Sequence, residues 1–145
     1  MKRAQRLEPV QHIVDDAQRR LALSVAACER RVLEGTAKLD ELQRYKAEYE
    51  QQFSQRAGRG IGVTDLRDYQ AFLARLSEAI KQQQALVNRA RIEHQAERLK
   101  WQEALKRAKA LGHVVDQWQA EERRVNEQRD QRESDERAQR KVNRP

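Results

Sequence analysis

Apolar residues recur along this chain in two long heptad registers. From Leu66 onward one heptad position holds Leu66, Leu73, Ile80, Val87, His94, Trp101, Ala108 and Val115. The position three residues later holds Tyr69, Leu76, Gln83, Ala90, Glu97, Ala104, Leu111, Trp118 and Val125. A seam repeating every 3.5 residues keeps two supercoiling helices in contact. An earlier and weaker register holds Val14, Leu21, Cys28, Gly35, Leu42 and Tyr49, with Gln18, Val25, Val32, Leu39, Lys46 and Phe53 four residues later. Gly35 is its weak point, costing about 1 kcal/mol in helix propensity against alanine. Pro9 suits the first turn of the earlier helix, where a missing N–H does no harm.

Between the registers lies Ala57-Gly58-Arg59-Gly60-Ile61-Gly62-Val63, and Thr64 or Asp65 can cap the second helix. A short glycine-rich break between two heptad runs predicts the bend of an αα-hairpin. A phosphate-cradling loop needs a preceding strand and a following Gly-Lys-Ser/Thr, and neither is present. The predicted fold is all-α: an antiparallel two-helix coiled-coil hairpin whose second helix is longer than the first. It is read as a single unit with helix 9–56, bend 57–64, helix 65–137 and frayed ends.

Folding about residue 59 or 60 pairs Phe53 with Leu66, Leu39 with Ile80 and Val32 with Val87, and brings Leu21 near Glu97. The first helix is then used up opposite Leu105 to Ala110. Val115, Trp118 and Val125 are therefore expected on an unpaired overhang that another molecule must cover. After Val125 almost nothing is apolar, so a lone helix supported by i,i+4 pairs is expected to fade before Pro145.

Composition fits a thin seam rather than a wide core. Aromatics make up 5% and charged residues 37% of the 145 residues, and mean hydropathy is −1.07. The net charge of +7 comes from interspersed signs, the pattern of a solvated helix face more than of a nucleic-acid groove. A single cysteine, Cys28, cannot form an internal disulfide and fits a reducing compartment. The basic start, MKRAQRLEPV, is not followed by the apolar core of a signal peptide. No stretch of about eighteen apolar residues offers a membrane span. A soluble, cytoplasmic protein is expected.

Catalytic and metal chemistry find no support in the pattern. His12, His94 and His113 lie far apart, without a second ligand one turn away on a consistent face, so no metal and no cofactor are expected. Carboxylates such as Asp15-Asp16 and Glu121-Glu122 sit in mixed-charge helix without a pocket to perturb them, so the chain is read as a non-enzyme. One edge of the hairpin near the bend stands out. Lys38, Tyr45, Phe72, Ala79 and Leu86 flank it, Leu42, Tyr49 and Leu76 adjoin it from the seam, and the opposite edge carries Gln43, Glu50, Gln70, Ser77 and Gln84. Exposed aromatic rings beside leucine suit a protein-binding surface. The same rings could equally widen a thin core.

The segment Leu42-Gln43-Arg44-Tyr45-Lys46-Ala47-Glu48-Tyr49, the loop Gly58-Arg59-Gly60-Ile61, and then Asp68-Tyr69-Gln70-Ala71-Phe72-Leu73 resemble the FliJ family of the bacterial flagellar type III export apparatus. A long amphipathic helix with Lys100-Trp101 completes the pattern, which covers most of the chain and is sharpest from Leu42 to Ile80. The resemblance implies a two-helix coiled coil like the central stalk of rotary ATPases. It implies three partners: the hexameric flagellar export ATPase, the cytoplasmic domain of the export gate protein, and free export chaperones. The gate-binding surface would fall on Leu42, Tyr45, Tyr49, Phe72, Leu76 and Ala79. At its two ends this chain has Lys38 and Gln83 where the family pattern would place a glutamine and a histidine. The ATPase pore would receive the region of Val115, Trp118, Arg123, Arg124 and Val125. The implied location is cytoplasmic, peripherally associated with the inner-membrane export apparatus. Two competing classes remain: a generic cytosolic coiled-coil adaptor or dimerisation module, which would self-associate through the overhang, and a nucleic-acid binder, whose affinity would fall steeply with salt.

Overall fold

The computed structural model describes residues 2–144. Two helices make up the architecture: α1, Arg3–Ala57, and α2, Val63–Val142, packed against each other as a hairpin with the second helix longer. Their packing falls into two compact units. One joins the described residues up to Arg20 to those from Gln102 onward, and the other is Leu21–Trp101.

The bend lies in the second unit. The Arg59 amide donates to the Arg56 carbonyl at 3.1 Å and the Gly60 amide to the Ala57 carbonyl at 3.2 Å, so orphan carbonyls of the last turn of α1 are satisfied. Gly60 takes φ +91°, a conformation open to glycine and strained for other residues. The Leu66 amide donates to the Gly62 carbonyl at 3.1 Å, so α2 begins one residue before Thr64. Thr64 and Asp65, expected as caps, sit inside the first turn, where the Asp65 carboxylate favours the positive end of the helix dipole.

The core of this unit is a thin line of Cys28, Leu39, Leu76 and Val87. Val87 is fully buried, and the reason is Gly35. A Cβ placed on Gly35 would come within 3.2 Å of Val87 Cγ2, so the helices approach closely there because the glycine has no side chain. Gln83 is also buried, and its Nε2 donates to the Gly35 carbonyl at 3.0 Å. The residue that weakens α1 by propensity is thus the one that fixes the register. Gly35→Leu is expected to cost about 2 kcal/mol through overpacking against Val87, despite better propensity, seen as a lower midpoint in thermal melts followed by circular dichroism.

Further along the unit, Glu97 accepts hydrogen bonds from the Ser24 hydroxyl at 2.8 Å and from Lys100 Nζ at 3.0 Å. The Lys100 bond first, and then that from Ser24, hold its carboxyl below the ordinary 4.5. A carboxyl lowered by folding adds stability above its unfolded pKa and loses it as pH falls through the folded value. Wild-type stability is expected to decline more steeply than that of Glu97→Gln as pH is lowered below about 4.5. Urea midpoints taken from neutral pH down to about 3 check this.

The terminal unit departs from the expected pattern at both helix ends and in the overhang. The first helix does not begin at Pro9; it begins at Arg3 and contains Pro9. An interior proline costs roughly 3 kcal/mol, and contacts made by the residues ahead of it offset that cost. Ala4 is buried, its amide donates to Glu122 Oε1 at 3.5 Å, and Arg3 meets Glu121 Oε2 at 3.4 Å. The residues 3–8, expected to fray, are helical. Pairing consequently reaches Glu122, so Val115 and Trp118 of the expected overhang are covered while Val125 stays exposed. At the other end α2 continues to Val142, past the expected end at 137, with exposed side chains joined by local contacts such as Arg129 to Asn126 at 3.0 Å and Gln131 to Asp135 at 3.2 Å. The expected fading toward Pro145 ends on a residue outside those described.

Candidate functional site

Near the bend, five aromatic side chains form one continuous cluster across the two helices. Phe53 stacks on Tyr69 with centroids 3.5 Å apart and planes 8° apart, and Tyr69 stacks in turn on Tyr49 at 5.4 Å. Tyr49 meets Phe72 at 4.5 Å, and Phe72 presents an edge contact to Tyr45 at 6.1 Å and 79°. Edge and tilted contacts such as Tyr45–Phe72 and Tyr49–Phe72 add about 0.5–1.5 kcal/mol per pair beyond their buried area. The heptad register predicts Leu66 as the partner of Phe53; Tyr69 takes that place, and Leu66 is left exposed. Ring stacking outweighs one turn of register, because a ring buries more area than a leucine at the end of a seam. Burial pushes the Tyr69 phenol upward from 10.0, helped by Glu50 and Tyr49.

The six residues singled out beside this cluster occupy graded depths. Leu76 is buried, and Leu42, Tyr49, Phe72 and Ala79 are half-buried. Tyr45 is 49% exposed, so the aromatic chain runs from a half-buried stack at Phe53 to a ring more open to solvent. Tyr45 and Phe72 therefore both widen the core and reach the surface. At the ends of the patch, Lys38 is exposed and shares an open groove with Leu42 and Tyr45. Gln83 is not part of the surface, since its side chain is spent on the Gly35 carbonyl.

The bend side of the cluster opens into a cleft of about 350 Å³. Tyr49, Phe53 and Tyr69 form one wall, with Arg56, Arg59, Asp65 and Asp68 around the rim. The cleft leaves no trace in the heptads, because loop residues carry no periodicity; the charged residues around Gly60 are its signal in the sequence.

In the terminal unit, Val115 is 4% exposed and Trp118 half-buried, with the Arg3 guanidinium 4.7 Å from the ring centroid. A cation over an indole face is worth about 0.5–2 kcal/mol. Of the residues assigned to the overhang, Arg123, Arg124 and Val125 stay exposed. The five thus divide into two covered by α1 and three open on α2.

Among the described residues, no group of three or more His, Cys, Asp or Glu could hold a metal ion, and no helix is long and apolar enough to cross a membrane. Comparison with curated proteins and with solved structures returned no match. A family model described as "Flagellar FliJ protein" matches residues 1–145. The chain belongs to the FliJ family and is, with it, a component of the flagellar export apparatus.

Proposed function

We propose that this protein is a non-enzymatic connector of the export apparatus, acting in the cytoplasm at the inner membrane. Its terminal unit enters the hexameric export ATPase in the manner of a central stalk and promotes assembly of the ring. The aromatic edge near the bend docks on the cytoplasmic domain of the export gate, and the chain also binds export chaperones. The observation that carries this reading is the graded aromatic cluster. A ring held from behind by Phe72 and Tyr49 yet half open to solvent, as Tyr45 is, suits an anchor that meets a partner with little loss of freedom. Arg123, Arg124 and Val125, left uncovered, support contact with a further protein at the terminal unit. An asymmetric helix pair inside a six-fold ring touches its subunits unequally, which biases their nucleotide states.

Coverage of Val115 and Trp118 by α1 argues against the dimerisation module, whose surface those residues were to form. Adding the purified protein to the export ATPase tests the stalk role. Faster turnover together with a shift toward hexamers in sedimentation is expected; unchanged assembly and turnover would remove the role.

A further inference from the structure

We infer that the outer face of α2 in the Leu21–Trp101 unit is a second docking surface, and that its partner is an amphipathic helix with acidic flanks. The seam side of this stretch is occupied by Val87, His94 and Trp101, and the face opposite carries Ala85, Ile92, Ala96 and Leu99. Ile92, Ala96 and Leu99 recur at i, i+4 and i+7, which sets them in one stripe along the helix. Ile92 is 71% and Leu99 57% exposed. A second apolar stripe on a helix whose first stripe is already used is the arrangement that pairs with an additional amphipathic helix.

The charges beside the stripe identify the occupant. Both carboxylates on this part of α2 are engaged, Glu93 with Arg31 at 3.9 Å and Glu97 with Ser24 and Lys100. Arg89, Arg91 and Arg98 are exposed and, among the described residues, have no ion pair or hydrogen bond. On the helical wheel Arg91 and Arg98 flank one side of the stripe and Arg89 lies on the other. An apolar stripe between unpaired cations selects a partner helix with apolar seam residues and flanking Glu or Asp. A second copy of this face would bring arginines against arginines, so self-pairing is disfavoured. The surface lies away from the aromatic edge and does not rest on the gate-docking reading.

The test uses the full chain and a synthetic three-heptad peptide with leucine at both seam positions and glutamate at the flanking ones, labelled for fluorescence anisotropy. The glutamates keep the peptide from pairing with itself. Binding to wild type is expected at low salt, weakened at least about tenfold by Ile92→Gln with Leu99→Gln, and likewise by Arg91→Glu with Arg98→Glu. A lysine-flanked peptide is expected not to bind. All four sites are exposed, so helical circular dichroism should be retained in both variants. No binding of the acidic peptide to wild type, or equal binding to all three proteins, would overturn the inference. So would a wild-type dimer in sedimentation that Ile92→Gln with Leu99→Gln returns to monomer, because the occupant would then be a second copy.

Discussion

Tyr45→Ala combined with Phe72→Ala is expected to reduce binding to the cytoplasmic domain of the export gate by roughly a thousandfold, with helical circular dichroism retained. Tyr45 is the exposed end of the aromatic cluster, and Phe72 is the ring that holds it in place from the other helix. Loss of the first removes an anchor, and loss of the second removes its support and exposes the Tyr49 ring behind it. Aromatic anchors of this kind cost about 2 kcal/mol or more each on truncation, and about 1.4 kcal/mol corresponds to a tenfold change in affinity. The fold should survive because Phe53, Tyr69 and Leu76 still close the helix pair on either side. Isothermal titration of both proteins into the gate domain measures the effect. Tyr49→Ala would be a poorer probe, since that ring contacts Tyr45, Tyr69 and Phe72 and its loss would disturb the whole cluster.

The second large effect concerns the fold. Val87→Asp is expected to cost about 4 kcal/mol or more, because a carboxylate would replace a fully buried apolar side chain. Gly35 across the seam and Gln83 one turn earlier on the same helix make the site unforgiving. Gly35 lets the helices approach too closely for water to enter, and Gln83 already commits its amide to the Gly35 carbonyl. Leu23→Asp supplies the control: Leu23 is 73% exposed, so its change should stay within about 0.5 kcal/mol. Urea titration of the two variants beside wild type separates them.

Much of this architecture was legible in the pattern of apolar residues, and the departures have identifiable physical causes. The two heptad registers and the glycine-rich break specify a hairpin, because period 3.5 and a breaker are properties of local sequence. Leu39 and Val87 fall in the core as their register requires. The start of α1 departs from its expected place because Pro9 reads locally as a helix beginning, whereas Arg3 and Ala4 gain partners on α2 that no local rule includes. That one difference converts Val115 and Trp118 from an overhang into a covered pair. Gly35 was legible only as a weakness. Its benefit is the space it leaves for Val87, a contact across the hairpin. Gln83 looks like an end of the binding patch when placed by motif, yet it is a buried partner of backbone. The apolar edge itself was visible as a set of positions; the stacking of Phe53 on Tyr69 depends on a shift of one turn between the two helices, which the periodicity within each helix does not report.

The aromatic edge near the bend is the face proposed to meet the export gate. Site-specific photocrosslinking in cells tests it most directly, with a benzoylphenylalanine placed at Tyr45 in one strain and at Leu23 in another. A crosslink to the gate protein is expected from position 45 and none from position 23. Crosslinks to the gate from position 23 with none from position 45 would contradict it, and would return Tyr45 and Phe72 to a purely structural role in the helix pair.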